Sequence, residues 1–429
     1  MPLPGVPPKL LQWLAAAAAV GPEGARLALV GGAVRDLLLH RRHKDPWRGV
    51  PDLDLVVEGG NPDGLPAAHR LARRLQRNLG PELVASCREH GAYGTVEIEL
   101  RLPPPAGSWQ LDVATARRED YPVAAENPVV RFGSLDDDLA RRDFTINAMA
   151  LLLGEGPGPQ LLDPHGGQAD LGLRHLRFLH PHSLRDDPTR LLRAARYAAR
   201  LGFDLAPCSL EQTRQTLAAW PWPWRPGDPP AQAPPALATR LRMELQLLLE
   251  REAWPLALAA LQRWGGLLLL DPALQADRHW QRRLRWATRL GLPATVALVA
   301  GAADPLDLAR RLQLPQHQLR LLAGLNTLKQ RLAATGAAGD GGGGKATAWS
   351  PARWTALLEA PELRPETVAL ALATGVGPRR PLLRWWLRWR HLGSPLSAAA
   401  LISAGERPGP ALGARLRQLR AARLEQERP

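Results

Sequence analysis

The chain has 429 residues, with 55 Lys or Arg against 41 Asp or Glu and a formal net charge of +14. The first 250 residues carry 29 of each sign, while residues 251–429 carry 26 basic and 12 acidic side chains, so the excess lies in the C-terminal part and points to a polyanion such as nucleic acid. At 45% hydrophobic and 22% charged the chain is not wholly disordered, and two distant cysteines, Cys87 and Cys208, exclude a disulfide framework or a cysteine zinc cluster and fit a reducing cytoplasm. A genomic preference for Arg explains why only four of the 55 cations are Lys, but not why acids thin out in one half.

In chain order, Leu10–Val20 (LLQWLAAAAAV) reads as a packed helix rather than a signal sequence, because its leader MPLPGVPPK is broken by prolines and carries one Lys. No stretch reaches the roughly 20 apolar residues of a membrane span. Leu27–Val30, Leu53–Val57 and the alternating Thr95–Leu100 read as strands, and Leu65–Leu79 has a helical period. Beyond about residue 160 helical patterns dominate. The expected fold class is α+β: a head with a mixed sheet over residues 1–155, a helical neck over 156–265 and a basic helical body and tail over 266–429.

Two low-complexity segments interrupt the helices. Trp220–Pro235 (WPWPWRPGDPPAQAPP) cannot be helix interior and reads as an exposed loop or insertion. Residues 335–348 (TGAAGDGGGGKATA) read as a linker. Its GDGGGGK nearly spells a phosphate-binding loop, but Ala346 stands where Ser or Thr should hold magnesium and a helical rather than strand-like segment precedes it.

The chemistry concentrates in the head. In LALVGGAVRD a short strand leads to Gly31 and Gly32, which let backbone amides approach a triphosphate at a helix N-terminus. Asp52 and Asp54 alternate along the next strand and so share a face; two carboxylates held that close repel unless a cation separates them. Together these features suggest nucleotidyl transfer assisted by two metal ions. Further on, RRDFTINAMALLL opens with Arg142 and Asp143. In LRDDPTRLLRAARYAARLGF, Pro188 suits a first helical turn, Asp187 lies at the start, and Arg190, Arg193 and Arg196 recur every third residue as a basic stripe, a pattern that is by itself compatible with a solvated face.

The ordered blocks LVGGAVRD, DLDLVVEG, LDVATARRE, GSLDDDLARRDFTINAMAL, LLDPHGGQADL and DDPTRLLRAARYAARLGF resemble the class II tRNA nucleotidyltransferases, the CCA-adding enzymes, and the related bacterial poly(A) polymerases. The resemblance covers roughly residues 27–250. It implies a polymerase-β-like head in which Asp52 and Asp54 hold Mg2+ and activate the RNA 3′ hydroxyl, while Gly31, Gly32 and Arg35 bind the triphosphate. It implies that Arg142 and Asp143 recognise the ribose, and that Asp187 and Arg190 present a Watson–Crick-like edge to the incoming base. Arg193 and Arg196 match further nucleotide-contacting positions. Asp112 is either a third carboxylate or a partner for a neighbouring Arg.

The spacer from Asp36 to Asp52 is longer than usual for the family, so a loop beside the site is expected. The implied activity is addition or repair of the 3′-terminal CCA of tRNA from CTP and ATP, without a template. CC-only or A-only addition, poly(A) synthesis and a non-catalytic RNA-binding homologue remain open. Glu119–Leu139 is long enough for the mobile loop that full CCA addition requires. In the tail, Arg384–His391 (RWWLRWRH) reads equally as a tRNA-gripping surface or as tryptophan core with solvated arginines.

Overall fold

Alternation of apolar and polar residues builds a seven-stranded mixed sheet in the N-terminal part. The computed structural model describes residues 4–19, 26–50, 52–59, 64–91, 94–104, 106–154, 160–335 and 349–427. Its strands are β1 (Arg26–Val30), β2 (Asp52–Glu58), β3 (Val84–His90), β4 (Thr95–Leu102), β5 (Gly107–Thr115), β8 (Ala150–Leu153) and β9 (Gln160–Leu162), in the order β3-β4-β5-β2-β1-β8-β9. Only β2 and β5 pair in parallel, which sets Asp54 opposite Asp112. In β2, Leu53 and Leu55 are buried while Asp52 and Asp54 face outward, the period-two pattern of a half-buried strand.

Helix α1 (Pro8–Ala19) buries Leu10, Leu14, Ala17 and Ala18 on one face and packs on α3 (Ala67–Leu83), as expected of a core helix. Helix α2 (Gly32–His43) takes up the first part of the long spacer, and residues 44–50 follow as coil. That coil is the expected loop, and it is anchored at Asp45: Arg174 donates to both its carboxylate oxygens at 2.7 and 2.6 Å, and His40 Nδ1 lies 2.9 Å from its carbonyl. The Glu119–Leu139 segment carries short elements at its ends and an irregular turn over residues 121–128. Strands β6 (Arg117–Asp120) and β7 (Val129–Phe132) form an antiparallel ribbon, and α4 (Leu135–Ala140) follows with a capping box between Ser134 and Asp137.

The chain divides into two compact units. The first comprises Met1–Pro223, Pro234–Ala236 and Glu252–Gly265. Beyond the sheet it contains α5 (Gly167–Leu173), α6 (Ser183–Asp186), α7 (Thr189–Leu201), α8 (Pro207–Ala219) and α10 (Trp254–Arg263), with α7 packed on α10. Asp163 accepts hydrogen bonds from the Gly167 and Gln168 amides at 2.6 and 3.0 Å, and Gly167 lies so close to the Thr145 carbonyl that a Cβ would collide with it. The DPHGG block is therefore a packing device.

The second unit comprises Trp224–Ala233, Leu237–Arg251 and Gly266–Pro429. It is helical: α9 (Thr239–Arg251), α11 (Pro272–Ala276), α12 (Trp280–Arg289), α13 (Ala294–Val299), α14 (Pro305–Arg311), α15 (Gln316–Ala334), α16 (Pro351–Leu358), α17 (Pro365–Thr374), α18 (Arg379–Leu387), α19 (Ala398–Ser403) and α20 (Pro410–Glu425). Buried Arg311 donates to the Leu269 carbonyl at 3.1 Å and to that of Leu270, and its guanidinium lies 4.6 Å from the Trp224 ring centroid. The proline-rich segment is largely exposed and free of α-helix, as expected, but two of its tryptophans anchor it. Trp222 and Trp224 are buried, and each indole N–H reaches a carbonyl, of Arg185 at 2.9 Å and of Pro229 at 3.2 Å. In the RWWLRWRH segment Trp385 and Trp389 are core, while Arg384 and Arg388 are exposed. Residues 336–348, most of the Gly-rich linker, lie outside the described residues; the segment before them is helix α15.

Candidate active site

Gly31 joins β1 to α2 with φ +72° and ψ −136°, a conformation that favours glycine. A Cβ there would sit 3.4 Å from Asp54 Oδ2 and 3.5 Å from the Arg142 guanidinium, so the glycine turn, the outward-facing acid of β2 and the first cation of the 142–143 pair meet at one point. Asp54, Asp112, Glu97, Arg141 and Arg142 line a cleft of about 330 Å3 there. Crowding by protein atoms, then the charges of Asp52 and Asp112, push the Asp54 carboxyl up to about 6 against the pull of Arg142. Burial, then Asp52 and Glu97, also raise Asp112, which lies opposite Asp54 in the β2–β5 register.

This concentration of negative charge fits a divalent cation. Among the described residues no three His, Cys, Asp or Glu side chains form a ready-made metal cage. Two carboxylates with open positions are nevertheless what a hard cation needs when phosphate oxygens and water complete its shell.

Behind the turn runs a buried polar chain. Arg35, 3% exposed, donates to both oxygens of Asp36 at 2.9 and 3.1 Å and to Asn147 Oδ1 at 2.8 Å, with the Tyr197 ring centroid 5.2 Å away. Asn147 Nδ2 donates to Asp143 Oδ1 at 3.0 Å, and that oxygen also accepts from the Phe144 amide at 2.9 Å. The other oxygen accepts from Arg193 at 2.9 and 2.8 Å. Burial works against the Asp143 charge, but Arg193, Asn147 and Arg190 outweigh it and hold the carboxyl below its usual range. Arg35, Asn147, Asp143 and Arg193 are thus joined in one chain of hydrogen bonds that runs from the buried Arg35 to the partly exposed Arg193. Asp138, fully buried, receives hydrogen bonds from Arg141 at 3.0 and 2.7 Å and from Arg142 at 2.9 Å; those two cations overcome its burial and keep it ionised.

A second cleft of about 310 Å3 is lined by Glu119, Tyr121, Arg141, His180, Asp186 and Arg190 among others. Arg190 donates to the Arg141 carbonyl at 3.1 Å. Asp187 turns inward: its Oδ1 accepts the Thr189 amide at 3.0 Å and hydroxyl at 2.6 Å, fixing the start of α7, while Asp186 faces the cleft. Arg196 is paired with Glu252 at 3.4 Å, so Arg190, Arg193 and Arg196 are anchored rather than a solvated stripe.

Pattern reading brought Gly31, Gly32, Asp52, Asp54 and Arg142 to one place. It missed Asp138, Asn147, Glu119 and His180, although the DDDLARRD run offers a signal for Asp138.

Residues 27–177 match the poly A polymerase head domain. A CC-adding tRNA nucleotidyltransferase of Deinococcus radiodurans is 39% identical over 305 residues, 71% of this chain and 71% of that protein. The chain belongs to the tRNA nucleotidyltransferase family. Another tRNA nucleotidyltransferase, the A-adding enzyme of Aquifex aeolicus, is 40% identical over 192 residues, 45% of this chain but 20% of that protein. The solved structure of a CCA-adding enzyme in apo form II superposes with a TM-score of 0.70 at 24% identity, covering 99% of this chain and 94% of that one, a likeness of fold. It bears out the expected α+β head followed by a helical body. Family members depend on divalent metal, in keeping with the carboxylate pair. No helix among the described residues is long and apolar enough to cross a membrane.

Proposed function

We propose that this protein adds or repairs the 3′-terminal CCA of tRNA from CTP and ATP, without a template, with Mg2+ held by Asp52 and Asp54. The observation that carries the reading is the meeting of Gly31 with Asp54 and Arg142, two of the residues that line the 330 Å3 cleft, in a chain homologous to tRNA nucleotidyltransferases. Bound between those carboxylates, Mg2+ would lower the pKa of the RNA 3′ hydroxyl and neutralise the triphosphate. The Gly31–Gly32 turn and the N-terminus of α2 receive the phosphates. Arg142, steadied by Asp138, offers its remaining donors to the nucleotide, while Arg35 and the Asn147–Asp143–Arg193 chain keep turn and helix in register. Asp187 and Arg190 select the base, with Asp187 fixing the end of α7 from which Arg190 projects. Free Cys87 and Cys208 agree with a cytoplasmic setting.

In the second unit, Arg282, Arg285 and Arg289 form an exposed row on α12, and Arg289 and Arg379 flank the Trp286 ring. This row supports assigning RNA-backbone binding to residues 266–429.

A second reading, addition of CC alone, is favoured by the likeness to the CC-adding enzyme. Incorporation on tRNA lacking its 3′ end, with CTP, ATP or both, separates the readings. Completion to CCA supports the first, and arrest after two cytidines the second. Extension with ATP alone on unrelated RNA marks a poly(A) polymerase. Incorporation of neither nucleotide overturns the proposal.

A further inference from the structure

We infer that His180 is a positioning residue for base selection, its imidazole serving as the acceptor that aims the Arg190 guanidinium into the 310 Å3 cleft. The inference rests on Arg190 reading the incoming base.

Arg190 is 4% exposed and is met from two directions: the Arg141 carbonyl accepts from one terminal nitrogen at 3.1 Å, and His180 Nε2 lies 3.5 Å from the other. A guanidinium has only donors, so a hydrogen bond across this 3.5 Å separation requires Nε2 as the acceptor, with the ring proton on Nδ1. Burial first, then Arg190 and His182, lower the ring's pKa to about 4, so the imidazole is neutral at ordinary working pH.

The backbone of His180 is fixed independently of its ring. Its amide donates to Ser183 Oγ at 3.2 Å, and its carbonyl accepts from Gln212 at 3.2 Å. Two acceptors on separate segments, the turn at 141 and the segment before α6, thereby set the plane of the guanidinium. Recognition of a base edge requires donors in one plane, because a guanidinium free to swing satisfies more than one edge. Glu119, Tyr121 and Asp186 complete the walls around that plane.

The test uses full-length His180→Phe, His180→Gln and Arg190→Ala proteins, with each nucleoside triphosphate supplied singly to tRNA lacking its 3′ end. His180→Phe keeps a planar ring without the acceptor. Its preference for CTP over UTP in kcat/KM should fall about tenfold or more, with KM for CTP rising more than kcat falls. His180→Gln restores an acceptor and should keep the preference within about threefold. A purely structural role would instead lower all nucleotides alike. If the Phe variant does not fold, His180→Leu supplies the same measurement. Unchanged preference in the acceptor-free variant, alongside a collapse in Arg190→Ala, overturns the role of His180 alone. Unchanged preference in Arg190→Ala overturns base reading by Arg190 and the inference with it.

Discussion

Asp143 Oδ2 accepts two hydrogen bonds from Arg193, at 2.9 and 2.8 Å, across 50 residues of sequence. The pair ties the turn after α4 to α7, and through Asn147 it reaches Arg35 behind the glycine turn. Catalytic groups need support of this kind, because a small displacement of a phosphate-binding turn is costly to the reaction.

Asp143→Ala leaves Arg193, Asn147 and the Phe144 amide without their acceptor. A buried pair broken from one side costs about 3–5 kcal/mol, and partial exposure of Arg193 reduces this to about 2–4 kcal/mol. Urea unfolding of the variant against the parent measures it; a loss below about 1 kcal/mol contradicts the supporting role.

Asp54→Asn keeps the shape of β2 and removes one of three clustered negative groups. Incorporation should fall by about a thousandfold, since the catalytic effect of a bound metal amounts to several kcal/mol. Thermal stability should equal or exceed the parent's because repulsion from Asp52 and Asp112 is relieved. Retained turnover would refute the metal assignment.

Gly31→Ala places a Cβ 3.4 Å from Asp54 Oδ2 in a backbone conformation that favours glycine. The strain is about 1–3 kcal/mol. Stability and incorporation should fall together, with KM for the nucleotide rising, and steady-state kinetics beside thermal unfolding would detect both.

His180 gives a pH signature. With a folded pKa of about 4 against an ordinary 6.5, the unfolded chain binds the proton first as pH falls. Its contribution to stability is therefore complete above pH 6.5 and is lost between pH 6.5 and about 4. After allowance for the ring's partial exposure this is about 1–2 kcal/mol. The difference in unfolding free energy between parent and His180→Gln should shrink over that window and stay constant above it.

Arg282, Arg285 and Arg289 on α12 offer a test of RNA binding by the second unit. Replacing all three with Gln should reduce the slope of log affinity for tRNA against log salt by about 2. An unaltered slope places the phosphate contacts elsewhere.

The local pattern alone determined the elements around the site. Alternation in DLDLVVE sets two acids on one face of a strand, and the glycines after LALV mark a tight strand-to-helix passage. These are short-range consequences of backbone geometry, so they are legible without a structure. The ordered motifs were legible too, and homology confirmed the family to which they belong.

Tertiary structure decided which charged groups support others in the interior and which face a cleft. The sequence marks Arg35, Asp143 and Arg193 as nucleotide-contacting positions, yet it does not show that each is paired with a group distant along the chain, a relation that no local period encodes. Asp186 and Asp187 are neighbours, but the turn into α7 directs one toward the cleft and the other onto Thr189. Likewise, a proline-rich stretch says only that a helix is excluded; burial of Trp222 and Trp224 depends on the surfaces presented to them. The +14 charge marks the C-terminal part as basic, whereas only the fold separates core Trp385 and Trp389 from the exposed arginine row of α12, because burial is a property of packed neighbours.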